Sequence, residues 1–330
     1  MTEHVRTSRL NMTLEDRLHQ EEGWVYMTGM QALVRLPIQQ RKRDIAAGLN
    51  TGGYISGYRG SPVGTYDMNL QQAEKELTAH NIYFQPGLNE DMAATASWGS
   101  QMVGLFPGAR VDGVFSIWYG KAPGMDRSMD PLRHANLAGS NPLGGSLVLV
   151  GDDHGAKSST VACYSDMNFA SIGMPLLAPA NAQDVLDFGL HGIAMSRYSG
   201  TLTGMKLVTD VVEGGGSVMV SPDSPHINLP EQDEPSPSIK PFVPFMEQER
   251  ILYDVRLQRV FEYARANGIN RIEGAKDAKI GIIAAGKAWQ DLSQALAGMN
   301  YADGKLGNMP TRLLKVGMVW PLDDQIIREF

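Results

Sequence analysis

One cysteine, Cys163, stands among 330 residues, so the chain can form no internal disulfide and builds no CxxC-type cluster or zinc site of its own. Any iron-sulfur chemistry must then be housed in other polypeptide. Long apolar runs are missing too: nowhere do about 18 apolar residues follow one another, roughly the minimum for a helix that spans a bilayer. The opening MTEHVRTSRLNMTLEDRLHQEEGW mixes both signs of charge and lacks the apolar stretch and cleavage site of a secretory signal. A cytoplasmic location is expected. Positive charge is in short supply, with Lys+Arg 29 against Asp+Glu 36 and a formal net charge of -7. That balance offers no footprint for a phosphate backbone or an anionic lipid face, so neither nucleic acid nor membrane is an expected partner. HExxH, GxSxG, GxGxxG and EF-hand patterns are all absent.

What is present is a core-forming chain, 43% hydrophobic, long enough for two compact units or one and a fragment. Short apolar runs bounded by glycine recur at Gly53–Ser56, Ile82–Phe84, Gly113–Trp118, Ser146–Val150 and Met205–Val208, and read as buried strands. Helical stretches at Met68–His80, Glu90–Leu105 and Ala182–Arg197 alternate with them. The expected fold is α/β, a doubly wound and mainly parallel sheet. From Ser221 to about Phe245 the prolines of SPDSPHINLPEQDEPSPSIKPFVPF cannot sustain helix or central strand, and a linker is expected there. A charged helix over about Gln248–Ala266 follows. Lys279–Gly286 then opens a second α/β unit with another strand near Arg312–Val319. The expected division is 1–222, 223–275 for linker and connecting helix, and 276–330 for a second unit expected to be incomplete.

Polar loops follow four consecutive strands, and the carboxyl edge of a parallel sheet is where ligands bind. Gly57-Tyr58-Arg59-Gly60-Ser61-Pro62 is either a tight turn or a ligand loop. Asn89 can cap the helix that Glu90 and Asp91 open, a purely structural role. Alternatively Glu90 is a buried acid, with Ala93, Ala94 and Ala96 letting the helix approach a neighbouring subunit, and a desolvated carboxylate there needs a partner with which to share a proton. The run Trp118–Arg127, continuing to Asn136, reads as a solvated loop or as a binding surface carrying Trp118 and Tyr119. In Gly151–Ser159, His154 reads as a hydrogen-bonded turn histidine, since no second histidine or cysteine lies at ligand spacing; no metal site is expected. Gly281–Lys287 has phosphate-loop spacing, but Ala288 stands where a hydroxyl should reach magnesium, so a strand ending in a glycine turn is preferred. A nucleotide-binding role for Gly286-Lys287 would predict ATP binding lost in Lys287→Ala.

The segments YMTGMQALVRLPIQQRKRDIAAGLNTGGYISGYRGSP, LNEDMAATASWGSQ, DGVFSIWYGKAPGMDRSMDPLRHANLAGSNP and GDDHGAKSST resemble the long fused indolepyruvate ferredoxin oxidoreductases of bacteria, in order and from roughly Leu14 to Phe330. The resemblance implies that 1–222 binds the aminopyrimidine of thiamine diphosphate and that 276–330 begins a transketolase C-terminal-like domain. Magnesium and 4Fe-4S clusters are expected on domains missing from this chain. Glu90 matches the family glutamate that hydrogen-bonds the pyrimidine, an interaction favouring the imino tautomer whose nitrogen can remove the thiazolium proton. Gly57, Tyr58, Gly60 and Pro62 fall in the cofactor-side turn. Ser61 matches a hydroxyl that meets the substrate carboxylate. The family arginine after the fourth strand falls here at Asp152-Asp153, so Arg59, Lys121 or Arg127 must supply the cation.

The implied reaction is oxidative decarboxylation of indolepyruvate or another aryl or branched 2-oxoacid, with coenzyme A taking the acyl group, ferredoxin the electrons, and two chains forming the site as a homodimer. The alternative is a non-catalytic remnant or assembly subunit that keeps the fold without completing a cofactor site.

Overall fold

The computed structural model describes residues 13–232 and 239–330 of the chain, so residues 1–12 and six of the expected linker lie outside the described residues. Its centre is a seven-stranded sheet of β2 (Gly52–Gly57), β3 (Ile82–Phe84), β4 (Val114–Lys121), β5 (Ser146–Asp152), β6 (Leu176–Leu177), β7 (Thr203–Val208) and β14 (Met318–Trp320). The order is β14-β6-β7-β5-β4-β2-β3, parallel throughout except for β14. The apolar runs explain this arrangement, because strands covered on both faces need no polar alternation. In β4 and β5, Ile117, Tyr119, Leu147 and Leu149 join one buried cluster, while Trp118, Val148 and Val150 join another on the opposite face. The expected doubly wound fold is therefore the observed one.

The first face is covered by helices α1 (Gly29–Ala46) and α5 (Ala182–Ser199). A capping box starts α1: Gln31 N–H donates to Thr28 Oγ1 at 3.2 Å and Thr28 N–H to Gln31 Oε1 at 3.0 Å. The second face is covered by α2 (Glu90–Ser100), α3 (Ala122–Arg127) and α4 (Met129–Ala138). The segment after β4 is thus two helices rather than a loop, and Trp118 and Tyr119 are fully buried core residues rather than a surface. A further antiparallel ribbon pairs β1 (Gly23–Thr28) with β8 (Gly215–Val220).

The expected charged helix runs as Phe245–Arg250, a π-helical Ile251–Arg256 and α6 (Leu257–Ala266). After it, β9 (Arg271–Gly274), β10 (Ile280–Ala285), β11 (Tyr301–Ala302), β12 (Lys305–Leu306) and β13 (Met309–Val316) form a second sheet with α7 (Gly286–Gly298). This sheet is tied to the first: Lys315 Nζ lies 2.5 Å from Asp184 Oδ2 on α5, and β14 pairs with β6. Among the described residues no helix is long and apolar enough to cross a membrane.

His191 of α5 is buried against α6, its Nδ1 2.9 Å from the Tyr263 hydroxyl. Burial pushes its imidazole down to about 4 from 6.5. A histidine depressed in the folded state contributes stability that is present above 6.5 and is lost as pH falls from there towards 4, by up to ~3 kcal/mol. Asp152 and Asp187, both pushed up to about 6 by burial, slope the other way. The contribution is therefore read by difference. We expect His191→Gln to flatten the acid limb of the stability curve between pH 6.5 and 4, measured by denaturant unfolding; an unchanged limb would assign acid lability elsewhere.

Candidate active site

β2 and β3 lie to one side and β4, β5 and β7 to the other, so the chain reverses its direction of winding between β2 and β4. The crevice outside the carboxyl ends at such a point is where open α/β sheets bind ligands. The turn Gly57–Pro62 leaves β2 there. Tyr58 N–H donates to Tyr119 O at 3.0 Å and Gly87 N–H to Gly57 O at 2.8 Å, lacing this turn to β4 and to the start of α2. A Cβ on Gly57 would sit 2.1 Å from Tyr119 O, so no larger residue fits. The stem of Lys121 lies across Gly60, and Pro62 packs on Gly151 at the end of β5. Tyr58 and Arg59 are exposed, Gly60 and Ser61 half-buried, and Pro62 buried.

Glu90 is the first residue of α2 and is only 6% exposed. Asn89 does cap the helix, its Oδ1 accepting the Met92 N–H at 2.9 Å. The helix cap and the burial of Glu90 are therefore both present. The Trp118 indole donates to Glu90 O at 3.1 Å and fixes the helix start against β4. The carboxylate lies over Gly124 of α3, where a Cβ would come within 2.6 Å of Glu90 Oε1. Among the described residues its carboxylate accepts no hydrogen bond, and Arg127 Nη1 is its cationic neighbour at 3.9 Å. Arg127 itself is engaged by Asp91, Nε to Oδ2 at 3.1 Å, so of the three candidate cations only Arg59 and Lys121 have no ion-pair partner among the described residues. Ala93 and Ala94 pack into their own chain beside Trp118, and only Ala96 of the three is exposed. Ala93 and Ala94 are thus spent on the chain's own core, and Ala96 is the one of the three left facing outward.

A model of the indolepyruvate oxidoreductase domain matches residues 270–330. The chain is 25% identical over 331 residues to indolepyruvate oxidoreductase subunit IorA of Methanothermobacter thermautotrophicus, covering 97% of this chain and 47% of that one. It is 22% identical over 315 residues to the IorA subunit of Pyrococcus horikoshii, covering 93% of this chain and 43% of that one. This chain is similar to the indolepyruvate oxidoreductases along almost its whole length. It spans about half the length of the curated relatives it matches. The fold is shared with 2-oxoglutarate:ferredoxin oxidoreductase from Magnetococcus marinus, solved with 2-oxoglutarate, coenzyme A and succinyl-CoA bound: TM-score 0.65 and 13% identity over 94% of this chain and 56% of that one.

Beside the crevice, Asp153 accepts N–H groups from Lys157, Ser158 and Ser159 at 2.7–2.8 Å, which hold its carboxyl at about 2. That anchor folds the loop after β5 over the Gly57–Pro62 turn, with Ser159 Oγ–H donating to Ser61 O at 3.3 Å. Sequence reading missed this role, although an aspartate shortly before Lys-Ser-Ser is the pattern of a side chain capping its own loop. A cleft of about 410 Å³ continues from there between Asp152, His154, Lys206 and the start of α7. His154 is exposed and makes no hydrogen bond among the described residues, contrary to the expected turn histidine. Lys287 at the mouth pairs with Asp291 one helical turn on, consistent with a strand and a glycine turn rather than a phosphate loop. A larger cleft, about 950 Å³, opens at the amino edge near Asp44, Leu143 and Arg197. None of the predicted site residues lines it.

Proposed function

We propose that this chain supplies the aminopyrimidine-binding half of a thiamine diphosphate site in an enzyme that oxidatively decarboxylates indolepyruvate or another aryl or branched 2-oxoacid to an acyl-coenzyme A, with ferredoxin accepting the electrons. The observation that carries the reading is Glu90, a carboxyl group buried at a helix start, accepting no hydrogen bond among the described residues, beside the crevice between β2 and β4. A buried carboxyl group without a hydrogen-bond partner is costly unless a ligand completes it, and a pyrimidine nitrogen does so by sharing a proton with it. The chain therefore fits that side of the group.

When bound, thiamine diphosphate supplies the nucleophile and the electron sink. The work of the chain is to hold a proton between Glu90 and the ring nitrogen, and to keep water from both with Trp118, Met125 and Ala122 packed behind. Gly57, Tyr58, Gly60 and Pro62 shape the cofactor side of the crevice, and the Ser61 hydroxyl donates to the substrate carboxylate. In this reading residues 1–222 are the pyrimidine-binding domain, 223–275 the connection, and 276–330 part of a transketolase C-terminal-like domain. Magnesium, 4Fe-4S clusters and the sites for coenzyme A and ferredoxin belong to further polypeptide. A homodimer completes the site, and the open edge at β3, with exposed Tyr83 and Ala96 beside it, suits such a contact.

The test is to assemble the chain with the remaining domains and measure thiamine diphosphate binding together with indolepyruvate- and coenzyme A-dependent dye reduction. Both are expected. An assembled protein that binds no thiamine diphosphate would establish the non-catalytic alternative instead. In the active assembly, Arg59→Ala is expected to raise the KM for the 2-oxoacid about tenfold, the size of one charge-assisted hydrogen bond, with kcat little changed. An unchanged KM would move the role to Lys121, since Arg127 is held by Asp91.

A further inference from the structure

The carboxyl end of β5 gathers a second set of groups. Asp152, its last residue, is 0% exposed. Its Oδ2 accepts the Ser165 N–H at 3.0 Å, whereas Oδ1 is buried and finds no hydrogen-bond partner. Leaving a buried oxygen orphaned is costly and calls for a reason. Asp153 and Cys163 exchange backbone hydrogen bonds at 3.1 and 3.0 Å, and this closure returns the chain so that Asp166 arrives beside β5. One donor atom from each of Asp152, His154 and Asp166 then lies within 4.8 Å of the other two. The group borders the open 410 Å³ cleft, which gives an ion a way in.

We infer that Asp152, His154 and Asp166 form a binding site for a divalent first-row transition-metal ion. Two carboxylate oxygens and one imidazole nitrogen are a mixed hard and borderline set, suited to Zn²⁺, Mn²⁺, Fe²⁺ or Co²⁺ rather than to Ca²⁺. Bonds of about 2.0–2.2 Å require the donor atoms to close to roughly 3–3.5 Å from one another. His154 supplies that movement, because it sits on an exposed loop and no hydrogen bond restrains it. Buried Asp152 is the fixed point. Three protein donors leave coordination positions facing the cleft, the pattern of an open site. The Lys206 ammonium, 2.6 Å from Asp166 Oδ1, competes with the ion for that carboxylate. The site uses none of the residues assigned to the thiamine diphosphate crevice and stands whether or not that assignment holds.

The untagged 330-residue chain, stripped with chelator, would be titrated with Zn²⁺ alone against a chromogenic competitor, and with Co²⁺ while the visible spectrum is recorded. One saturable equivalent is expected, weakened at least tenfold by His154→Ala, a surface change that leaves the thermal transition in place. Lys206→Met, which removes the competing ammonium, is expected to tighten binding severalfold. Equal Zn²⁺ uptake by the wild type and His154→Ala, no saturable equivalent in the wild type, or weaker binding by Lys206→Met would each overturn the site.

Discussion

Replacing Glu90 by glutamine is expected to slow exchange of the thiazolium proton by a factor of about 10²–10⁴ in the assembled enzyme, the usual worth of a positioned acid or base. Turnover should fall with it, while folding stays near that of the wild type. The two halves of this expectation have different origins. Glutamine has the shape of glutamate and can still occupy the space over Gly124, so little packing is lost. What it cannot do is exchange a proton with a ring nitrogen. The approach of Arg127 Nη1 at 3.9 Å is too long for a hydrogen bond, so losing it adds little to the stability difference. Proton NMR follows the exchange directly. A wild-type rate in Glu90→Gln would take this residue out of the mechanism.

The largest loss of stability is expected at the opposite edge of the sheet. Asp44, at the end of α1, is buried and accepts from Arg197 Nη1 and Nη2 at 2.7 and 2.8 Å, from Thr51 Oγ1 at 2.6 Å and from Gln40 Nε2 at 2.8 Å. One carboxylate thus joins α1, the start of β2 and the end of α5. Removing one partner of a buried pair costs about 3–5 kcal/mol, because the other charge stays desolvated. For Asp44→Ala in a chain of 330 residues this corresponds to a fall in Tm of roughly 4–7 °C. Replacing both Asp44 and Arg197 by apolar residues of similar volume should recover much of it, since the pair as a whole is worth far less than either break. A single Asp44→Ala that costs under about 1 kcal/mol would show the network to be solvated in practice.

Strands buried on both faces could be read because their signal is local. Ser146–Val150, an apolar run between breakers, is such a strand, whereas Ile82–Phe84 is a strand at the open edge with Tyr83 exposed. The ribbon β1–β8 was harder, though alternation in Trp24-Val25-Tyr26-Met27 is present, with the aromatic residues exposed and the aliphatic ones buried. Its partner, Gly215–Val220, begins with two glycines and carries little strand signal of its own. α1 was obscured differently: Pro37 lies inside it, and the buried Arg35 donates to Arg17 O at 2.9 Å, so neither the breaker rule nor the charge pattern applies. Gly120, Pro123 and Gly124 made the segment after β4 look like a loop, whereas Pro123 stands in the first turn of α3, where proline is tolerated. At the candidate site, the position of Glu90 followed from its place after a strand. The meeting of Asp152, His154 and Asp166 did not, because it depends on a loop closure that residue spacing does not encode.

β14 has a further consequence. Three residues from near the carboxyl terminus, Met318–Trp320, hem the row of amides and carbonyls that Leu176 and Leu177 would otherwise present bare. Unhemmed margins recruit strands from other molecules. Dissection of this polypeptide at its proline-rich stretch would therefore leave the larger piece with a frayed border, although nearly all of its sheet comes from before the cut.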